Sequence, residues 1–295
     1  MEKNKLILVS DIDSFWVKNF FLTVENLQVF KNKTAVFLFL ESSTRTKISF
    51  EMACYKLGMN VVHFNQKTSS TNKGESLAET LRNIEAMGAD LLVVRHGADQ
   101  LDIKELYSLK IPVISAGSGS VSHPTQALLD LFTLHKEGLV NKNKNLLFLG
   151  DVSLNRVANS HKNLLPDWGF KLAYCCPEEC CTTPPPKELN YFENKQEALD
   201  WADIVMVLRL QEERKNFSVK FLENYKKNYQ LRLKDIEKAN ETKQEPLKVM
   251  HPGPYVEGLD LEKAVTDYEH SFIYKQVSHS VPARAAIIQC LLQKV

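Results

Sequence analysis

Short runs of strongly apolar residues alternate with segments of helical periodicity along most of the chain. The run at 35–40, Ala-Val-Phe-Leu-Phe-Leu, has the length and the β-branched and aromatic content of a buried strand. The segment that follows, 46–57, spaces its apolar residues like a helix and ends before Gly58. A chain in which buried strands and helices alternate forms layers of helices around a parallel sheet. The sequence therefore predicts an α/β fold with central parallel sheets.

This alternation occurs in two halves of the 295-residue chain, and the length is typical of two domains. The predicted strands are 35–40, 60–64, 91–95 and 112–115 in the first half and 146–149, 171–174, 204–208 and 248–250 in the second. The predicted helices are 46–57, 76–86, 103–109, 124–136, 156–165, 195–201, 218–225 and 282–292. A polar stretch at 137–145 marks the junction, so we predict two doubly wound α/β domains, at 1–138 and 139–277.

The charges of the chain are nearly balanced. A formal net charge of +1 gives no electrostatic reason to expect a nucleic acid or an anionic membrane surface as a partner. No apolar run reaches the length of a membrane span, and the hydrophobic stretch after residues 1–5 is too short for a signal peptide. With 44% hydrophobic and 25% charged residues, the composition is that of a soluble protein, and we expect it to be cytoplasmic.

A polar string lies where the first predicted strand passes into its helix. Ser43, Thr44, Arg45 and Thr46 should occupy the first turn of that helix. There the backbone N–H groups and the helix dipole attract an anion, and the hydroxyls and the Arg fork add the donors that a phosphate requires. The string lacks the glycines and the Gly-Lys-Ser of a P-loop, so it indicates one compact phosphate. The alternative is an ordinary Ser/Thr N-cap with a solvated Arg.

A second polar string, His123-Pro124-Thr125-Gln126, precedes another apolar helical run. Pro124 stands near the first helical position, where proline is favoured. His123 can then donate to a carbonyl oxygen that becomes negative during attack, and the Gln126 amide can bond a planar amino or carbonyl group. Taken alone, His123 is more typical of a structural histidine than of a catalytic one. Together the two strings indicate a small phosphorylated carbonyl compound as substrate.

Four of the six cysteines stand close together, at Cys175, Cys176, Cys180 and Cys181. Two Cys pairs could form a thiolate metal site, but no second pair with zinc-like spacing and no adjacent histidine follows them. We therefore expect reduced thiols without a function. A metal site and a redox role are the alternatives.

The apolar run at 146–149 is followed directly by Gly150. The first strand of a dinucleotide-binding domain is likewise followed by a glycine. The spacing Gly-x-Gly-x-x-Gly fails after that first glycine. The sequence therefore gives no support to an NAD site at this position.

The polar strings resemble the motifs of the aspartate carbamoyltransferases, in the aspartate/ornithine carbamoyltransferase family. Seven motifs stand here in the order of that family. They are Ser-Thr-Arg-Thr at 43–46, Ser69 with Lys73, Arg95, His-Pro-Thr-Gln at 123–126, Gly150-Asp151 with Arg156, Leu-Arg-Leu-Gln at 208–211, and His-Pro-Gly-Pro at 251–254. Ornithine carbamoyltransferases usually carry His-Cys-Leu-Pro in the last motif, and no His-Cys pair occurs in this chain.

The resemblance implies attack of the aspartate α-amine on the carbonyl of carbamoyl phosphate, with no metal and no cofactor. It assigns the phosphate to Ser43, Thr44, Arg45, Thr46 and Arg95, with Ser69 and Lys73 in the same subsite. Thr46, Arg95 and His123 would contact the carbonyl oxygen as it gains charge. Gln126 and the backbone carbonyls near Pro252 and Pro254 would orient the carbamoyl NH2 group.

For the second substrate, the resemblance assigns the α-carboxylate of aspartate to Arg156 and the β-carboxylate to Arg209 and Gln211, with Lys73 nearby. In relatives the loop around Ser69 and Lys73 enters the active site of the neighbouring subunit. The resemblance therefore implies a homotrimer with shared active sites. It also implies that residues 278–295 form a C-terminal helix that packs back on the first domain. Association with a regulatory chain or a dihydroorotase stays open.

Three departures from the family pattern accompany the matches. Gly117-Ser118-Gly119 replaces Gly-Asp-Gly, Tyr255-Val256-Glu257 replaces Asn-Arg-Gly, and His279-Ser280-Val281-Pro282 replaces a glycine-containing turn. None of them removes a predicted phosphate or carboxylate ligand. Two other functions stay open, namely carbamoyl transfer to another amine such as N-acetylornithine or N-succinylornithine, and a non-catalytic assembly subunit.

Overall fold

The structure is a computed structural model that describes residues 4–65, 74–97, 101–153, 155–181, 189–212 and 215–293. It divides into two compact units. Unit 1 lies within Met1–Phe132 and His279–Val295, and unit 2 is Thr133–Ser278. The functional domain boundaries predicted above, at 138/139 and 277/278, stay a prediction.

Unit 1 contains a five-stranded parallel sheet in the order β1-β5-β4-β2-β3. The strands are β1 (Lys5–Leu6), β2 (Thr34–Phe39), β3 (Asn60–His63), β4 (Leu91–His96) and β5 (Val113–Ser118). The helices are α1 (Ser14–Glu25), α2 (Thr44–Lys56), α3 (Leu77–Ala86), α4 (Ile103–Ser108) and α5 (Pro124–Lys136), of which the part from Thr133 onward belongs to unit 2. Helix α1 was not predicted.

Unit 2 contains a second five-stranded parallel sheet, in the order β10-β9-β6-β7-β8. The strands are β6 (Lys144–Gly150), β7 (Phe170–Cys175), β8 (Asn190–Tyr191), β9 (Ile204–Leu208) and β10 (Lys248–Met250). The helices are α6 (Arg156–Lys162), α7 (Lys195–Trp201), α8 (Val219–Asn228), α9 (Leu233–Asn240) and α10 (Lys263–Thr266). The prediction of two α/β domains with parallel sheets is confirmed.

The C-terminal helix was predicted to begin at Pro282, and that start is wrong. Helix α11 spans Ile273–Gln293, with Pro282 inside it. Its part from His279 onward belongs to unit 1, where the Arg284 guanidinium lies over the Phe50 ring and the Gln289 side-chain oxygen accepts from the Gln28 backbone N–H at 2.8 Å. These contacts agree with the predicted return of the helix to the first part of the chain.

Glycine is required at the end of β6. Gly150 has a φ of +116°, and a Cβ there would lie 2.5 Å from the Leu208 carbonyl oxygen and 2.8 Å from the Tyr225 hydroxyl. Gly150 and Leu208 are register partners at the carboxyl ends of β6 and β9. The missing side chain therefore lets these two strand ends, and the loops that follow them, approach closely.

The cysteine cluster differs from the expectation that all of its thiols are reduced. Cys176 and Cys181 form a disulfide, so the prediction of reduced thiols is wrong for this pair. Cys175 and Cys180 are free and buried, and burial raises the pKa of each thiol to about 12. A thiol with so high a pKa is a poor nucleophile at neutral pH, because little of it is thiolate.

Each unit has a core of its own beneath its sheet. In unit 2 the core includes alternate residues of β6 and β9, which share one face of the sheet, together with residues of the surrounding helices, and Leu147, Val205, Val249 and Ile236 are completely buried there. In unit 1 Leu38, Leu92 and Val113 are likewise completely buried. Among the described residues no helix combines the length and the apolar character that a membrane span requires.

Candidate active site

In unit 1 the predicted phosphate and carbonyl ligands follow three adjacent strands. Strand β4 lies between β5 and β2 in the sheet. The Ser-Thr-Arg-Thr string follows β2, Arg95 lies at the end of β4, and the His-Pro-Thr-Gln string follows β5. The strands are parallel, so their carboxyl ends share one edge of the sheet, which is the usual ligand edge of an α/β domain.

The backbone at the first string is the start of a helix, as predicted. Ser43 is the N-cap of α2, and Thr44, Arg45 and Thr46 form its first turn. The Ser43 side chain makes no capping hydrogen bond, so the capping role of the alternative interpretation is not observed. An N-terminus whose N–H groups are not satisfied by a cap is suited to an anion. The phosphate itself stays a prediction.

Arg95 is almost fully buried at the end of β4. Its Nη1 donates to the Ala116 backbone carbonyl at 3.0 Å, and its Nε lies 3.6 Å from a carboxylate oxygen of Glu41. The Leu40 backbone N–H donates to the Arg95 carbonyl at 2.8 Å, which joins the approach to α2 directly to β4. Glu41 was not predicted. Its position between the end of β2 and the first polar string could have indicated that it lies at the candidate site.

His123 lies immediately before α5 and is buried. Its carbonyl accepts from the backbone N–H groups of Gln126 and Ala127, and its Nδ1 lies 3.4 Å from the Thr125 hydroxyl. The departure at Ser118 lies in the tight turn before it, where the Ser118 N–H donates to the Ser122 carbonyl at 2.9 Å. This turn is built from backbone groups, so an acidic side chain is not required to form it.

Gln126 is buried on the first turn of α5, three residues after His123. Its Nε2 donates to Oδ1 of Asp130, one turn further along the helix, at 3.0 Å. Asp130 is completely buried and was not predicted. The predicted ligand of the carbamoyl NH2 group is therefore held by a buried carboxylate.

In unit 2 the predicted ligands of aspartate and of the carbamoyl NH2 group also follow three adjacent strands, β10, β9 and β6. Arg156 begins α6 after β6, Arg209 and Gln211 follow β9, and Pro252 and Pro254 follow β10. Asn155 caps α6 by accepting from the Val157 and Ala158 N–H groups, and this cap sets the position of Arg156.

Asp151 links two of these loops. Its Oδ2 accepts from the Gln211 backbone N–H at 3.3 Å, and its Oδ1 accepts from the Ser153 hydroxyl at 3.0 Å. The Asn155 side-chain amide donates to the Asp151 carbonyl at 3.2 Å. One buried carboxylate thus holds the loop of Gln211 to the loop that leads to Arg156.

The loop with Pro252 and Pro254 is held from within unit 2. The Gly253 N–H donates to Nδ1 of His251 at 2.8 Å, and the peptide bond between Gly253 and Pro254 is cis. The departure at 255–257 is accommodated, because the Tyr255 ring lies edge-on to the His251 ring with centroids 5.9 Å apart.

Asp260 supports the loops that carry the predicted aspartate ligands, although it belongs to none of the seven sequence motifs. It is completely buried, and its carboxylate accepts from the Val256 N–H at 2.7 Å and from the Leu210 N–H at 3.0 Å. Burial raises the pKa of this carboxyl to about 6, against the lowering effect of those two N–H donors and of Arg209. Asp260 therefore holds the backbone between Arg209 and Gln211 through a group that titrates in the mildly acidic range.

We expect Asp260→Asn to change how stability depends on pH. A carboxyl whose pKa is raised from 3.8 to about 6 on folding contributes stability below pH 4 that is lost as the pH rises through 6. Between pH 4 and pH 7 the wild type should lose about 2 kcal/mol of unfolding free energy relative to the variant. Urea unfolding at both pH values measures this difference. Glu223→Gln, on the surface of α8, is the control, and identical pH profiles for Asp260→Asn and wild type would contradict the assignment.

Ser69 and Lys73 lie outside the described residues. Among the residues that the structure does describe, no group of three or more His, Cys, Asp or Glu side chains is arranged to hold a metal ion. The remaining predicted ligands fall into two sets, one at the sheet edge of each unit.

Two family models match this chain. The model of the aspartate/ornithine carbamoyltransferase carbamoyl-P binding domain matches residues 14–136. The model of the aspartate/ornithine carbamoyltransferase Asp/Orn binding domain matches residues 142–291. Together the two models cover most of the chain.

Individual proteins match over nearly the whole length. The aspartate carbamoyltransferase catalytic subunit of Helicobacter pylori strain G27 is 39% identical over 275 residues, which are 92% of this chain and 88% of the relative. The catalytic subunit of aspartate transcarbamoylase from M. jannaschii has a TM-score of 0.85 at 27% identity and covers 98% of both chains. Aspartate transcarbamoylase from Trypanosoma cruzi, in complex with carbamoyl aspartate and phosphate, has a TM-score of 0.82 at 25% identity and covers 96% of this chain and 94% of that one.

Proposed function

This chain belongs to the aspartate/ornithine carbamoyltransferase family, and we propose that it transfers the carbamoyl group of carbamoyl phosphate to the amine of L-aspartate. The products are N-carbamoyl-L-aspartate and phosphate. The observation that carries the proposal is the placement of 43–46, Arg95 and 123–126 at the carboxyl ends of three adjacent parallel strands. The names of the relatives support aspartate as the amine.

Carbamoyl phosphate binds at the sheet edge of unit 1 in this proposal. The first turn of α2 supplies N–H groups, hydroxyls and the Arg45 guanidinium to the phosphate, and buried Arg95 supplies a second positive charge. Thr46, Arg95 and His123 donate to the carbonyl oxygen, which gains negative charge as the amine attacks. Gln126 and the carbonyls near Pro252 and Pro254 orient the NH2 group.

Aspartate is bound by the loops of unit 2. Arg156 takes the α-carboxylate, and Arg209 with Gln211 takes the β-carboxylate, because a guanidinium matches the two oxygens of a carboxylate. The buried carboxylates of Asp151 and Asp260 hold the backbone that carries these ligands. Lys73 adds a further positive charge.

The chemical step joins an amine nitrogen to a carbonyl carbon and releases phosphate. Both substrates are anions, so the electrostatic work of bringing them together is the main obstacle, and the arginines reduce it. The tetrahedral intermediate places a negative charge on the former carbonyl oxygen, where the donors of unit 1 act. The departing phosphate accepts the proton of the amine. The reaction therefore requires no dedicated carboxylate base, no metal and no cofactor.

The organisation around this reaction is part of the proposal. Residues 1–138, with the helix at 278–295, form the carbamoyl phosphate-binding domain, and residues 139–277 form the aspartate-binding domain. The working unit is a cytoplasmic homotrimer in which Ser69 and Lys73 act in the site of a neighbouring subunit, alone or with a regulatory chain or a dihydroorotase. The product makes the enzyme a step of pyrimidine biosynthesis.

A substrate panel tests the proposed reaction. Purified protein is supplied with carbamoyl phosphate and, separately, with aspartate, ornithine, N-acetylornithine or N-succinylornithine, and the carbamoylated amine is measured. We expect product with aspartate alone. Product with an ornithine derivative would overturn the roles of Arg209 and Gln211 but keep the phosphate site. No product with any amine would favour the non-catalytic assembly subunit.

A further inference from the structure

A buried polar pair on α5 fixes the orientation of one predicted ligand. The side-chain Nε2 of Gln126 donates to Oδ1 of Asp130 at 3.0 Å, and Asp130 is completely buried. The two residues are four apart, so their side chains lie on the same face of the helix. Gln126 is itself only 7% exposed.

This hydrogen bond determines which end of the amide faces away from Asp130. A carboxylate can only accept hydrogen bonds, so the NH2 end of the Gln126 amide must face it. The carbonyl end, Oε1, is then the end available to a ligand. An amide oxygen accepts from an amino group and offers nothing to a methyl group.

The charge of Asp130 acts on a buried cation of unit 1. Arg284, on α11, is 3% exposed, and its guanidinium carbon lies 5.1 Å from the centre of the Phe50 ring. Burial lowers the pKa of Arg284 to about 10, and the negative charge of Asp130 opposes that lowering. Asp130 and Arg284 thus place a negative and a positive charge, both buried, inside unit 1.

We propose that Asp130, supported by Arg284, holds Oε1 of Gln126 toward the amino group of carbamoyl phosphate and so selects it over acyl phosphates that carry a methyl group there. This inference rests on the proposed function. Asp130 acts through Gln126, so it is a positioning residue. It contributes to the selection of carbamoyl phosphate over an acyl phosphate of the same shape.

The test uses two unreactive phosphonates that differ only at the selected group. Phosphonoacetamide carries the amino group, and acetonylphosphonate carries a methyl group in its place. We expect the wild type to bind phosphonoacetamide more tightly, and Asp130→Asn to reduce this ratio of dissociation constants about tenfold, because an amide at position 130 can face Gln126 with either end. The dissociation constant of inorganic phosphate and the KM of aspartate should stay unchanged. Titration calorimetry and initial rates measure these quantities.

The other variants separate positioning from general damage. Asp130→Asn leaves a buried guanidinium without its opposing charge, so the double variant Asp130→Asn/Arg284→Met, which removes both charges, should show the same reduced ratio if the single variant does not fold. Asp102→Asn, which keeps a capping side chain on α4, is the matched control and should leave the ratio unchanged.

The outcomes distinguish the two proposals. An unchanged ratio in a folded variant at position 130 overturns the inference and leaves the proposed function in place. A proportional loss of both phosphonates and of inorganic phosphate also overturns it, because that pattern reports damage to the whole subsite. A wild type that binds no phosphonate and forms no product overturns the proposed function and the inference together.

Discussion

Replacing Arg45 by Ala should lower kcat/KM for carbamoyl phosphate by about 100-fold or more. Arg45 lies in the first turn of α2, where its charge adds to the positive end of the helix dipole. A guanidinium can give a phosphate two parallel charge-assisted hydrogen bonds, and each such bond stabilises by about 1.5–3 kcal/mol. Initial rates at varied carbamoyl phosphate and saturating aspartate measure the loss, and we expect no saturation with carbamoyl phosphate in the variant.

The control is an arginine of unit 1 that is not part of the candidate site. Arg82, on α3, is 64% exposed and lies 3.7 Å from Glu79 and 3.9 Å from Glu105. Exposed ion pairs of this kind contribute little, so Arg82→Ala should keep wild-type rates. Wild-type kinetics in Arg45→Ala would contradict the prediction that the phosphate binds at the N-terminus of α2. Arg45→Lys should recover only part of the loss, because an ammonium lacks the planar fork.

The sheets were predictable because buried parallel strands are continuous apolar runs. The strands at Ile204–Leu208 and Lys248–Met250 have the predicted bounds, and β2 differs by one residue at each end. Residues that follow such strands collect at one edge of the sheet. That rule, with the order of the motifs, was enough to place the candidate ligands of each unit.

Pro282 shows where a local rule fails. Proline is favoured at the first turn of a helix because its missing N–H is not needed there, and the sequence therefore predicted a start. In the structure α11 passes through Pro282 and continues to Gln293. Ala283, Ala286 and Ile287 beyond it are completely buried, and this packing offsets the lost hydrogen bond. Such compensation depends on neighbours that the local sequence does not contain.

The residues that support the ligands were the ones that the sequence did not indicate. Asp260 bonds the Leu210 backbone across 50 residues of sequence, and Glu41 pairs with Arg95 on the neighbouring strand. These contacts exist only after the sheet has formed. Asp130 is different, because its bond to Gln126 spans one helical turn, and the spacing of four residues was a usable signal.

Replacing Arg209 by Ala should raise the KM of aspartate about 10- to 100-fold and leave the KM of carbamoyl phosphate unchanged. Arg209 directly follows β9, and its predicted ligand is the β-carboxylate of aspartate only. Losing a charge-assisted bond to that carboxylate weakens the second substrate without touching the N-terminus of α2. Initial rates with each substrate varied in turn separate the two constants.

The Arg209→Ala substitution should also change the electrostatic environment of Asp260. Arg209 lowers the pKa of that buried carboxyl, so its removal should raise the pKa further and shift the pH dependence of stability upward. Lys227→Ala, on the exposed face of α8, removes a positive charge of unit 2 that is not a predicted ligand and should change neither quantity. Equal increases in both KM values for Arg209→Ala would contradict the assignment, because a residue that binds only the second substrate cannot weaken both by the same factor.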